Sequence, residues 1–174
     1  MPVIQRSSTQ LPSELDFISH SPAQTIRIGQ RLGELLHQGD VVLLSGDFGT
    51  GKTHLIKGIA QGLGSNDLVT SPSFVLVNEY HAQRQSVSFP IYHADLYRLD
   101  QPAEVQGIGI DDLMQGHGVT LIEWAEHGGG YLPHEHLAIH LRHLSETKRV
   151  LRFVPHGQHY LDLMLTLKRT SFAA

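Results

Sequence analysis

No cysteine occurs among the 174 residues. Disulfides, thiolate metal sites and cysteine nucleophiles are therefore excluded. No stretch reaches the roughly 18 consecutive apolar residues that a membrane span needs. The opening "MPVIQRSSTQLPSELDF" also lacks the apolar run of a signal peptide. A cytoplasmic protein with no membrane role is the expectation. Basic residues are in the minority, with 13 Lys and Arg against 17 Asp and Glu and a net charge of −4. A broad basic face for gripping nucleic acid directly is not expected from that balance. The metalloprotease pattern H-E-x-x-H is missing.

What is present suits a globular protein. Hydrophobic residues make up 40% of the chain, and its length is enough for a core. Residues 1–20 read as a poorly ordered N-terminal arm and 21–174 as a single domain. Histidine is abundant, at 13. The cluster "PHEHLAIHLRH" offers His134, His136, His140 and His143. His136 and His140 have helical i, i+4 spacing, but "LAIHL" alternates like a strand, which favours a solvated edge or loop over a metal site.

Along the chain, "SPAQTIRIGQRLGELLHQGD" predicts a helix with Ser21 as N-cap, Pro22 at the first position and Gly39 at its close. "VVLL", Val41 to Leu44, has the all-apolar pattern of a strand buried on both faces. A second helix is expected from about Lys52 to Leu63, ended by Gly64. "SFVLVNEYHA" and "VSFPIYHADLYRL" predict a hairpin. Two short helical pieces in "QPAEVQGIGIDDLMQ", a buried strand "VTLIEW", a second hairpin and a terminal helix follow. This order mixes βαβ units with hairpins. The expected fold class is α/β, a three-layer fold like that of P-loop NTPases, with a parallel centre and antiparallel additions to a mixed sheet.

The chemistry lies in "LLSGDFGTGKTHLIKG". Gly46 to Thr53 fit G-x-x-x-x-G-K-[ST], the phosphate-binding loop, in the strand–turn–helix context that its mechanism requires. The candidate nucleotide ligands are Gly46, Asp47, Phe48, Gly49, Thr50, Gly51, Lys52 and Thr53. Glycines let backbone N–H groups approach phosphate oxygens, and the helix N-terminus favours an anion. Lys52 can reach the β- and γ-phosphates, and the Thr53 hydroxyl can ligate Mg²⁺. Glu123, closing the buried strand of "VTLIEW", is the candidate second metal partner, with a surface carboxylate as the plainer alternative. The guanine-recognition motif N-K-x-D is absent, which favours ATP.

Three further stretches specify more. "SPSFVLVNEY" (Ser71 to Tyr80), "HADLYRL" (His93 to Leu99) and "IEWAE" (Ile122 to Glu126) accompany "GDFGTGKT" and "TIRIGQRLGELL" in this order. Together they closely resemble the TsaE (YjeE) family, small bacterial ATPases of tRNA threonylcarbamoyladenosine (t6A) biosynthesis. The resemblance runs from about Ser21 to Arg152. It implies a switch-like loop at Ser71-Pro72-Ser73-Phe74, where Ser73 stands in place of the family's usual Thr. It matches His93, Asp95, Tyr97 and Arg98 to the family's H-x-D-x-Y-R stretch and associates Asp95 with hydrolysis. It makes Glu123 the Mg²⁺ partner beside Trp124. Asp95, Lys52 and Ser73 are the catalytic candidates. The implied partners are the subunits of the threonylcarbamoyl transferase complex, with tRNA met only through that complex.

Plainer readings stand beside these. Pro72 and Ser73 suit an ordinary turn, Asp95 could cap the turn after it, Tyr97 could be a packing residue, and Trp124 could belong to the core, the nucleotide site or a partner surface. No arginine finger is evident, with Arg84 and Arg98 the nearest candidates, so slow turnover raised by a partner is expected. The rival function is a small-molecule kinase whose lid would use Arg142, Lys148, Arg149 and Arg152.

Overall fold

The strand β2 (Val41–Ser45) is apolar and buried from Val41 to Leu44, as suits a strand covered on both faces. Val42 and Leu44 enter one core, and Val41 and Leu43 the other. The computed structural model describes residues 13–171 and places β2 in a seven-stranded mixed sheet of order β1-β7-β6-β2-β5-β4-β3. The parallel centre is β6 (His136–His143), β2, β5 (Val119–Glu123) and β4 (Val87–Asp95). Antiparallel strands flank it, namely β7 (Arg149–His156) and β1 (Leu15–Ser19) on one side and β3 (Val77–Arg84) on the other. The helices α1 (Pro22–Leu35), α2 (Lys52–Gly62) and α5 (Gln158–Ser171) cover one face. The short α3 (Pro102–Gly107) and α4 (Ile110–Leu113) cover the other. This is the expected three-layer arrangement.

The helix that follows the phosphate-binding loop is seated by glycine. Gly29 and Gly33 of α1 face Gly58 and Gly62 of α2. A Cβ on Gly29 would stand 2.3 Å from the Leu55 carbonyl oxygen, and one on Gly58 would stand 2.1 Å from that of Ile26. No side chain fits in such a seam, so the two backbones touch and α2 is fixed in position beneath the loop.

Three expectations change. Residues 1–20 are not all an arm. Leu15–Ser19 forms β1, an edge strand paired to β7, with Leu15 and Ser19 buried. Asp16 locks it there by accepting from Arg152 Nε and Nη2 at 2.8 and 2.9 Å. Residues 1–12 of that expectation lie outside the described residues. Helix α1 is capped by Ser21, whose Oγ accepts from Gln24 N, but it ends at Leu35 before Gly39. The Asp40 carboxylate accepts from His37 N at 2.8 Å and draws the chain into a turn, where Gly39 adopts φ +93°. Finally, the hairpin strand starts at Val77. Ser71 to Leu76 is a loop, because Val75 N and Leu76 N both donate to Pro72 O and Leu76 takes φ +69°.

Candidate nucleotide site

The strand register decides which side chains meet. Glu123 ends β5, level with Leu44 of β2 on one side and Asp95 of β4 on the other. The loop Gly46–Gly51 leaves β2 at that same end. One cavity of about 330 Å³ results, lined by Gly49, Gly51, Lys52, Thr53, Ser71, Ser73, Asp95 and Glu123 with aromatic walls. All five residues expected to carry chemistry or metal contacts (Lys52, Thr53, Ser73, Asp95, Glu123) thus converge there with Ser71. Gly46, Asp47 and Thr50 shape the loop from outside the cavity. The Asp47 carbonyl oxygen accepts from Thr50 Oγ1 at 2.8 Å.

Gly51, with φ +100°, occupies the N-cap of α2 and supplies no capping side chain. The first-turn N–H groups have no carbonyl upstream in the helix, so this end suits an anion. Lys52 is buried and folded back on the loop, where Nζ donates to the carbonyl oxygens of Gly46 and Asp47 (3.0 Å to the latter). Burial pulls its ammonium below the usual lysine value, against the opposing pull of Glu123, Glu126, Asp95 and Asp47. The Trp124 ring lies over it, with Nζ 4.2 Å from the ring centroid. Trp124 itself packs with Phe48 and Tyr97 at centroid separations of 4.9 and 5.0 Å. It therefore belongs to the site wall and also packs against the second core.

The metal-side pair is in direct contact. Thr53 Oγ1 donates to Glu123 Oε1 at 2.9 Å. A hydroxyl and a carboxylate oxygen are hard ligands of the kind Mg²⁺ takes, and Mg²⁺ commonly needs only one or two from protein. The donor set fits that ion. Asp95, nearly fully buried, is held from two directions. Oδ1 accepts from Tyr97 N at 2.9 Å, and Oδ2 faces the hydroxyls of Ser71 at 3.2 Å and Ser73 at 3.4 Å. The turn-capping bond is therefore present along with contacts to the loop that bears Ser71 and Ser73.

Other candidates fall elsewhere. Arg84 donates to Leu36 O and Gly33 O at the end of α1, which removes it from the phosphate side. Arg98 stacks on Phe74 at 4.5 Å. The proposed kinase lid is a strand hairpin. Within it, Arg152 pairs with Asp16 and Glu14, and Arg149 bonds carbonyls of its own turn and of Gly49. His136, His140 and His143 lie on β6, where His136 stacks on His156 of β7 and His140 bonds Ser45, while His134 precedes the strand. Two residues gained no role from the sequence, Tyr80 and His93. Both are buried, and they connect Glu123 to the loop at Thr70. The signals were their places in the matched stretches "SPSFVLVNEY" and "HADLYRL" and a histidine inside the otherwise apolar end of "PIYHA".

Fold and site together define a P-loop nucleotide-binding protein with a mixed sheet. The model of the family described as threonylcarbamoyl adenosine biosynthesis protein TsaE matches residues 19–151. The tRNA threonylcarbamoyladenosine biosynthesis protein TsaE of Bacillus subtilis is 35% identical over 156 residues, covering 90% of this chain and 95% of that protein. The protein of the same name from Treponema pallidum is 39% identical over 132 residues, covering 76% and 94%. The crystal structure of Bacillus subtilis YdiB superposes with a TM-score of 0.76 at 32% identity, covering 91% of this chain and 96% of that one. The chain belongs to the TsaE family.

Proposed function

We propose that the cavity binds ATP with Mg²⁺ and hydrolyses it slowly, and that this activity serves the family's role in tRNA N6-threonylcarbamoyladenosine biosynthesis. The observation that carries the reading is the convergence of Lys52, Thr53, Asp95 and Glu123 on one cavity at the mouth of the loop. Phosphoryl transfer asks a protein chiefly to position groups and stabilise charge. Lys52 exchanges the loop carbonyls for phosphate oxygens, and the N–H groups of Gly51 to Thr53 face the same anion. Thr53 and Glu123 would hold Mg²⁺, which when bound would neutralise charge on the phosphates. Asp95 orients or deprotonates the attacking water. Its contacts to Ser71 and Ser73 are long for O–H···O bonds, so water competes for the same oxygen. Ser73 retains the hydroxyl this needs.

No arginine faces the phosphate end among the described residues that line the cavity. That accords with slow turnover, raised by the subunits of the threonylcarbamoyl transferase complex as partners in the cytoplasm. On this reading tRNA meets the protein only through that complex. The test is Lys52→Ala. A charged hydrogen bond is worth about 1.5–3 kcal/mol, so ATP affinity measured by calorimetry should fall roughly 10- to 100-fold, with the thermal unfolding midpoint held. Unchanged affinity would overturn the phosphate assignment. Release of free phosphate, with no phosphorylated acceptor, separates hydrolysis from a kinase reaction.

A further inference from the structure

Glu123 is one end of a buried chain of polar groups that leaves the cavity. His93, with no exposed surface, places Nε2 2.9 Å from Glu123 Oε1 and Nδ1 3.1 Å from the Tyr80 hydroxyl. That hydroxyl also lies 2.9 Å from Thr70 O and 3.3 Å from Thr70 N. Asn78 Nδ2 reaches both the hydroxyl, at 3.3 Å, and Thr70 O, at 3.0 Å. Thr70 is the residue immediately before the loop that bears Ser71 and Ser73.

With Glu123 ionised and the imidazole neutral, the chain runs in one direction. An ionised Glu123 accepts only, so His93 Nε2 must carry a proton toward it. In the neutral imidazole Nδ1 is then an acceptor, and its only donor here is the Tyr80 hydroxyl. That hydroxyl has one proton and two takers, His93 Nδ1 and Thr70 O. Thr70 O retains a bond from Asn78 Nδ2 when Tyr80 turns to His93. The orientation of Glu123 and the anchoring of the switch loop therefore draw on the same proton. Thr53 and His93 both address Oε1, and Glu123 Oε2 takes no hydrogen bond from the described residues.

We propose that His93 is a positioning residue that holds the Glu123 carboxylate with one oxygen free for the cavity and, through Tyr80, ties it to the base of the Ser71–Leu76 loop. The inference rests on reading Glu123 as the Mg²⁺-side carboxylate. It has the form of an outer-shell interaction, in which a buried partner orients a ligand it never replaces.

The test measures apparent Mg²⁺ affinity in the presence of ADP, by calorimetric titration across Mg²⁺ concentrations. His93→Asn keeps an amide near the Nδ1 position and loses the Glu123 bond. Its apparent Mg²⁺ affinity should fall about tenfold or more, the usual scale for loss of an outer-shell partner. His93→Gln carries its amide out to the Nε2 position and should restore most of that affinity, a rescue that a general packing defect would not show. Tyr80→Phe removes only the hydroxyl. It should lower Mg²⁺ affinity less and speed amide exchange in residues 70–76, and it decides the matter if the His93 variants fail to fold. Glu123→Gln is the reference. If it leaves the Mg²⁺ dependence intact, the metal reading of Glu123 falls, and this inference with it. If Glu123→Gln loses that dependence while folded His93→Asn keeps it, only the inference is overturned. Unchanged Mg²⁺ affinity and unchanged loop exchange in Tyr80→Phe would overturn it likewise.

Discussion

Two histidine–carboxylate pairs sit at opposite ends of the central strands. At the carboxyl end, His93 and Glu123 are 2.9 Å apart and almost wholly buried, with side chains 0% and 4% exposed. At the amino end, His159 Nε2 lies 2.7 Å from Asp40 Oδ1, and the histidine is half in solvent at 51%. The chemistry is the same and the surroundings differ. Glu123 stands where β2 turns into a glycine loop and a helix N-terminus, the end of a parallel sheet at which ligands bind. Asp40 stands before β2, closing the His37 turn and holding the first turn of α5 to the sheet. Position relative to the strand ends, and not the pair itself, separates a site from a brace.

The largest expected effect lies at the carboxyl end. Asp95→Asn should bind ATP as well as the unsubstituted protein, or better, because a carboxylate beside phosphates repels them. Turnover with partner subunits present should fall by about 10²–10⁴, the range for losing a general base. Steady-state phosphate release measures it. Unchanged turnover would remove the catalytic role. Joint loss of folding and binding would leave Asp95 only its bond to Tyr97 N.

A sharper comparison sets Glu123→Gln against Asp40→Asn. The first should impair Mg²⁺-dependent hydrolysis more than nucleotide binding while the fold persists. The second should lower unfolding free energy by about 1–2 kcal/mol, the cost of weakening buried hydrogen bonds, with nucleotide affinity unchanged. Denaturant titration and calorimetry on both variants decide this. Equal losses of nucleotide affinity would break the contrast between the two ends.

The smallest effect is expected at the sheet edge. The Arg152 guanidinium beside Asp16 holds its carboxyl below the usual aspartate range. A lowered carboxylate pKa stabilises the fold above the ordinary value, and that contribution is lost as pH falls through the lowered one. The pair is largely exposed, so salt should screen its contribution. Asp16→Asn should flatten the acid limb of a thermal-midpoint profile slightly at low salt and not at high salt. An unaltered acid limb at low salt would show that the ion pair adds nothing to β1.

Local patterns gave a faithful account of elements whose cause is local. The four apolar residues of "VVLL" imply burial on both faces wherever the strand sits. Ser21 followed by Pro22 starts a helix from its own side chain and fixed φ. Gly46 to Thr53 carry their meaning in spacing, because backbone N–H groups and Lys52 act within one turn. Where a turn bond or a remote strand intervened, the sequence reading stopped short. Asp40 ended α1 before Gly39, Pro72 O turned Val75 and Leu76 out of the strand, and β7 recruited Leu15–Ser19 to the sheet edge.

The residues themselves pointed to a phosphate-binding loop, since a glycine loop at that spacing between a buried strand and a helix offers backbone N–H groups to an anion. They also determined the layers, through which positions are apolar. Only tertiary structure decided that Glu123 lies level with Asp95, that Trp124 covers Lys52, and that His93 stands between Glu123 and Tyr80. Those meetings depend on the order β2-β5-β4 and on register between strands far apart in the chain. A one-residue shift in register would turn each side chain to the opposite face without altering any local pattern.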